Sequence, residues 1–407
     1  MRKNVKKQLA LRVLSTAALV AMVSSIATAA FADTYDLNTG SVTVETKANG
    51  ITYVTQKDDK QVDGFARNKN NEVLNEHPDD TGVTITSDGK QTSNTITVET
   101  AKDQTTDVTL DKVHIEVNTS EAKSGAIEIK GDGDTNLELN GDNTVLVKND
   151  WEEEHAAIEK ADKYGKEGTL TIKDDVNDDG SEKTGTEADT TGKLLAGGFH
   201  QAAAIGGGGT SDTACTSNIK ITGGEITASG GVYGAGIGGG AYGAGTNIRI
   251  EGNADVTAFA GGGAAIGSGY QSSYDSDITI TDHATVDAAS ENGCGIGQGL
   301  NASGKATITI SGNASVNAEV FNMPAAIGSH SSSATVNIED HADVTAVGFG
   351  VAIGTGSGHG GTSTVINITG GTVNAVTCDD SRPAIGTVDG NLDLTINSST
   401  GKTTVNT

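Results

Sequence analysis

From residue 105 onward, short alternations of apolar and polar side chains return in a fixed order. Ile219-Lys220-Ile221 is followed by Ile226-Thr227-Ala228 and then by an Ile-Gly dipeptide at Ile237. The next units repeat the order as Ile248-Arg249-Ile250 with Val256-Thr257-Ala258, and Ile278-Thr279-Ile280 with Val286-Asp287-Ala288. The Ile-Gly marks stand at Ile205, Ile237, Ile266, Ile296, Ile327, Ile353 and Ile385, separated by 32, 29, 30, 31, 26 and 32 residues. Period 2 places alternate side chains on opposite faces of a strand, so each unit predicts three short strands. Helices are excluded, because runs this short, rich in Ile, Val and Thr and broken by Gly, cannot sustain a 3.6-residue stripe. Between the first and second strands, Gly223-Gly224, Gly252-Asn253, Asp282-His283, Gly312-Asn313, Asp340-His341 and Gly370-Gly371 share one register. Gly, Asn and His tolerate positive φ, which marks a tight corner there.

Three strands per unit, stacked unit on unit, predict an all-β solenoid: a single-stranded parallel β-helix of triangular cross-section whose inward positions form ladders of Ile, Val and Ala. The same grammar reaches back through Val108-Thr109-Leu110, Leu137-Glu138-Leu139 and Leu170-Thr171-Ile172, the last coil lengthened by an acidic insertion at 174–191. About ten coils at a strand spacing of about 4.8 Å give a rod roughly 48 Å long. Residues 33–104 lack a clean period and are expected to cap the first coil, leaving 105–407 as the solenoid with Gly-rich coils from 201. Leu392 to Thr407 supply one more strand and no obvious cap, so the tail or another chain should cover that end.

Composition narrows the functional classes. Only 3% of the 407 residues are aromatic, which argues against a large α/β enzyme built on bulky side chains. Residues 1–32 read as a secretory signal, with Arg2, Lys3, Lys6, Lys7 and Arg12 before an apolar stretch and Ala30-Phe31-Ala32 before Asp33. Losing those five cations takes the formal charge from −26 to −31. Nucleic acid and anionic lipid are therefore poor partners, and no later segment is long enough to span a membrane. The mature chain is expected outside the cell, free or held noncovalently at its surface. The three cysteines form no disulfide framework: Cys294 aligns with Ala203, Ala235, Ala264 and Ala325 as a small core residue, and the spacing of Cys215 and Cys378 establishes no bond.

The leader, Tyr35-Asp36-Leu37-Asn38 and the Ala-Ala-Ile-Gly-Gly-Gly-Gly motif around Ala203 to Gly209 resemble secreted right-handed parallel β-helix proteins of clostridia and related gut Firmicutes. Those proteins are similar in turn to a polysaccharide-binding family with a pectate-lyase-like fold. The resemblance implies carbohydrate binding without catalysis, with calcium as a candidate cofactor, and it speaks to architecture more than to a ligand.

Candidate sites follow from residue chemistry. Asp175, Asn177, Asp179 and Gly180 match the opening of a calcium loop; position twelve is Thr186 rather than a carboxylate, and Glu182 is a further candidate ligand. A solvated acidic loop is the alternative. The outward row Thr227, Thr257, Asp287, Asn317, Thr345 and Asn374 offers hydroxyl, amide and carboxylate groups at rung spacing for successive sugar hydroxyls, or is simply a set of residues suited to exposed strands. Tyr242 and Tyr270 follow their Ile-Gly marks by five and four residues, with Tyr233 and Tyr274 nearby, and aromatic faces can stack on pyranose rings. Enzyme signatures mostly fail. Gly358-His359-Gly360 and Asp379-Asp380 resemble two polygalacturonase motifs in the wrong order. Glu152-Glu153-Glu154-His155 has metal-ligand chemistry without a known spacing and reads as a solvated loop. The leading expectation is an extracellular glycan-binding monomer. The rival is a structural or adhesive rod that binds host protein or assembles end to end through its C-terminal coil.

Overall fold

The computed structural model describes residues 33–57, 72–77, 82–148, 154–162, 165–174, 192–210, 212–356, 362–397 and 403–407. Strands dominate, and the one helix among the described residues is the single turn Thr119–Ala122. No helix among these residues is long and apolar enough to cross a membrane. The strands form three sheets of twelve, eleven and thirteen members. Each unit contributes one strand to each sheet in turn: Thr216–Ile221 to the first, Glu225–Ser229 to the second and Ile237–Gly238 to the third. About nine such turns run between residues 105 and 387.

Register explains the period. Ile219, Ile248, Ile278, Ile308, Val336 and Ile366 are successive parallel partners on the first sheet, and Ile226, Val256, Val286, Val316, Val344 and Val373 on the second. All are fully or almost fully buried. Each such aliphatic side chain removed from water contributes about 1.5–3 kcal/mol, and each rung repeats the gain. The ladders thus keep a β-branched aliphatic, Ile or Val, at each of these inward positions, as the sequence pattern required.

The Ile-Gly mark has a separate cause. Ile is the inward residue of the third sheet, whereas the following Gly holds φ between +133° and +142° from Gly206 to Gly386. A Cβ at Gly267 would lie 2.0 Å from the carbonyl oxygen of Gly297 on the next rung. Only glycine combines that backbone angle with that approach. At the first corner, Gly224, Gly252, Asp282, Gly312, Asp340 and Gly371 have positive φ. The two His residues of the shared register are not the left-handed ones; Asp282 and Asp340 are. Their carboxylates accept the N–H groups of Gly252 and Gly312 at 3.1 Å, which ties each corner to its neighbour.

Residues 33–104 contribute to the same sheets. Asp33–Asp36 and Val83–Thr86 join the first, Gln91–Thr92 the second, and Val42–Thr46 and Ile96–Thr100 the third. Thr52–Lys57 then pairs antiparallel with Val42–Thr46, and Glu72–His77 antiparallel with Thr52–Lys57, so the two extend the third sheet as a meander. At the far end, Asn391–Ile396 and Thr404–Asn406 close the first and second sheets. There the inward side chains of Leu392, Leu394 and Ile396 are 44%, 40% and 49% exposed, Asn391–Ile396 being the outermost described strand of its sheet.

Candidate functional site

Three of the four singled-out tyrosines meet. Tyr233 leaves the second sheet's corner, and Tyr242 and Tyr270 lie in the loops that follow Ile237–Gly238 and Ile266–Gly267. Backbone bonds fix their order: Tyr233 N–H donates to His200, Tyr270 N–H to Tyr233, and Tyr242 N–H to Tyr270, at 2.7, 2.9 and 2.7 Å. The ring centroids of Tyr233 and Tyr270 are 5.0 Å apart, and those of Tyr242 and Tyr270 are 6.5 Å apart. His200 packs edge-on against Tyr233 at 5.3 Å, and Phe199 follows. Tyr242 has φ +66°, an uncommon angle for a residue with a Cβ. Despite these contacts Tyr233 and Tyr242 remain 36% and 53% exposed, so the cluster is a shelf rather than part of the core.

Tyr274 stands apart from that shelf. It lines a groove of about 390 Å³ with Asp162, Cys215, Thr216, Ala244, Thr246, Ser273 and Asp275. A second groove of about 430 Å³, walled by Asn301, Ser303, Ser331, Ser332, Ser333 and Thr362, lies on later rungs between the third and first sheets. The outward row also forms: Thr227, Thr257, Asp287, Asn317, Thr345 and Asn374 are successive register partners on the second sheet. Beside it, burial together with the carboxylates of Glu225 and Asp287 pushes Asp255 above the usual carboxylate range. The row belongs to strands of the second sheet, whereas Tyr242 and Tyr270 ride on loops beyond the third.

A buried charged layer was missed. Glu154 is buried and His155 half-buried, which corrects the solvated reading of these two residues, whereas Glu152 and Glu153 lie outside the described residues. Glu154 meets His200 Nδ1 at 2.5 Å, and Glu159 meets His155 Nδ1 at 2.9 Å while accepting the Ala156 N–H at 3.0 Å. Lys160, 1% exposed, pairs with Asp162 at 3.7 Å. Burial holds the Lys160 ammonium below its ordinary range. For Asp162, burial is the largest influence and opposes ionisation, but hydrogen bonds from Ser217 and the backbone of Lys166 and Glu167 outweigh it and hold the carboxyl low. Burial, reinforced by Asp162 and Asp132 against Lys160, pushes Glu167 up to about 7.

Residues 219–241, 248–270 and 366–387 each match the beta helix repeat. The chain is a parallel β-helix protein. No curated protein and no solved structure matches it. Within this β-helix, the calcium-loop candidates Asp175, Asn177, Asp179 and Glu182 lie outside the described residues, as do Gly358, His359 and Gly360. Asp379 is engaged locally, accepting from Ser381 and Arg382. Cys294 is fully buried, its thiol pushed up to about 12 by desolvation. Cys215 is buried and Cys378 exposed, and no disulfide joins them.

The missed layer did carry a sequence signal. Aligning the early coils with the later ones puts Glu128 and Glu159 at the position that is Gly in every Ile-Gly mark, and Glu159 is in register with both Glu128 and Gly206.

Proposed function

We propose that this β-helix is a non-catalytic, extracellular glycan-binding protein whose ligand lies on the Tyr233, Tyr270 and Tyr242 shelf. The observation that carries the reading is the meeting of these rings from three segments of the chain at the surface, in a protein with few aromatic residues. Solvent-exposed rings held by a backbone ladder are preorganised to stack on pyranose faces, and their hydroxyls remain available to sugar hydroxyls. A neutral glycan fits best, because the neighbouring second sheet presents Glu225, Asp255 and Asp287. Calcium at the 174–191 insertion belongs to the same proposal as a bridge to acidic sugars.

Affinity-gel electrophoresis and a glycan array test the reading. Retention by at least one neutral polysaccharide, reduced at least tenfold in a Tyr242→Ala/Tyr270→Ala variant, is expected. Wild-type mobility unchanged by every polysaccharide tested would overturn it, and loss of retention with a chelator would assign calcium a part.

A second reading rests on the exposed Leu392, Leu394 and Ile396 of the last rung. Open strand edges with apolar inward residues favour end-to-end stacking, which sedimentation velocity would reveal as concentration-dependent assembly abolished by Leu394→Lys.

A further inference from the structure

Glu128 and Glu159 occupy directly opposed positions on adjacent rungs of the third sheet. Like charges so placed repel across a spacing of about 4.8 Å. Both residues are at most 9% exposed, so water screens that repulsion poorly. On the later rungs the same position is Gly, and no side chain is needed there for the fold. The rungs before them carry Thr43 and Thr97 at that position, and the two rungs between Thr97 and Gly206 both carry Glu.

His155 completes a triad with these residues. One ligand atom each from Glu128, His155 and Glu159 can be chosen so that all three lie within 4.8 Å of one another. The His155 Nδ1 to Glu159 Oε2 separation is 2.9 Å. A tetrahedral ion with bonds of about 2.0–2.1 Å places its ligand atoms about 3.4 Å apart, so the set surrounds such an ion after small side-chain shifts. A separate observation points the same way. Glu154, with a side chain 6% exposed, leaves Oε2 buried without a hydrogen-bond partner. That oxygen and Glu159 Oε2 face the same glycine strip: an ideal Cβ at Gly209 would lie 2.4 Å from the first, and one at Gly208 would lie 2.8 Å from the second. Gly208 and Gly209 thus leave room for carboxylates and not for side chains of their own. Lys130 reaches Glu128 Oε2 at 2.6 Å and neutralises part of the charge, leaving that carboxylate's other oxygen for a ligand.

We propose that Glu128, His155 and Glu159 bind one divalent transition-metal ion, with water as a further ligand, pinning two rungs and the intervening segment together. An imidazole with carboxylates suits zinc-like ions, whereas calcium prefers six to eight oxygens, so this site differs in chemistry from the acidic insertion. Because His200 joins Glu154 to Tyr233, the site lies behind the aromatic shelf without depending on it.

The test is calorimetric titration of the full mature chain with Zn2+ alone, after chelator treatment, followed by Co2+ absorption spectroscopy. One ion per chain is expected, with affinity falling at least tenfold in both Glu159→Gln and His155→Gln and unchanged in Tyr242→Ala/Tyr270→Ala. Far-ultraviolet dichroism checks that each variant is folded, and Glu128→Gln supplies a third arm if one is not. Co2+ bands of nitrogen and oxygen ligation that vanish in His155→Gln support the site. Absence of Zn2+ binding at 100 µM, sulfur-to-cobalt charge transfer, equal displacement by Ca2+, or binding indifferent to these substitutions would overturn it.

Discussion

Replacing Gly267 by Ala probes the constraint that sets the repeat. Gly267 has φ +136°, and an added Cβ would lie 2.0 Å from the Gly297 carbonyl oxygen, which accepts the Ser268 N–H at 3.1 Å. Reaching ordinary contact near 3.4 Å requires the rungs to part by about 1.4 Å, which stretches that hydrogen bond beyond any useful length. Holding a residue with a Cβ in this backbone region costs about 1–3 kcal/mol. Leaving the buried N–H unsatisfied costs about 1–3 kcal/mol more. The expected loss is therefore about 2–6 kcal/mol, concentrated on one rung interface. Gly89→Ala is the matched control: its φ is +69° and nothing lies within 4 Å of the new Cβ, so only a left-handed penalty of about 1–2 kcal/mol remains. Stability in a solenoid is a sum of neighbour interfaces, so the assay pairs urea unfolding with hydrogen exchange along the chain. Gly267→Ala should lower the midpoint well beyond the control and accelerate exchange around residues 266–297. Equal midpoints and equal exchange in the two variants would refute the argument.

Three further outcomes follow from the same geometry. Folded Glu167 keeps its proton to about 7 whereas the unfolded group releases it near 4.5, so stability should fall as pH rises between those values. Glu167→Gln should flatten that fall, and an unchanged pH profile of thermal midpoints would count against it. Of the three thiols, exposed Cys378 should react quickly with a disulfide reagent under native conditions, while Cys294 stays inert until the chain unfolds; rapid labelling of Cys294 would contradict its burial. Ile296→Ala removes a fully buried ladder residue and should destabilise by about 2–5 kcal/mol in urea unfolding, against under 0.5 for the outward Thr257→Ala.

The fold was legible because a solenoid writes its contacts into the sequence at a fixed interval. Ile219 and Ile248 meet because they are one turn apart, so a local alternation and a thirty-residue period together specify a long-range contact. The tyrosine shelf was partly legible for the same reason, since Tyr242 and Tyr270 follow equivalent marks. Tyr274 was misleading because the loop after Tyr270 turns into the next first-sheet strand and carries it to another groove. Least legible was the charged layer. Glu154 and His155 sit in a run of acidic residues that ordinarily means solvent, and only the backward alignment to Gly206 shows that their neighbour Glu159 faces the opposing Glu128. The corner was read correctly as left-handed, but the residue that adopts the angle is Asp, whose carboxylate gains a backbone donor that His would not supply.

Pulsed dipolar spectroscopy on paired nitroxides tests the rung stacking most directly. With one label at Thr227 and the other at Thr345, Asn374 or Asn406, the register places the pairs four, five and six rungs apart. Distances near 19, 24 and 29 Å, rising by about 4.8 Å per rung, are predicted from the strand spacing. Distances that do not increase in equal steps along this series would contradict the stacked arrangement and every surface derived from it.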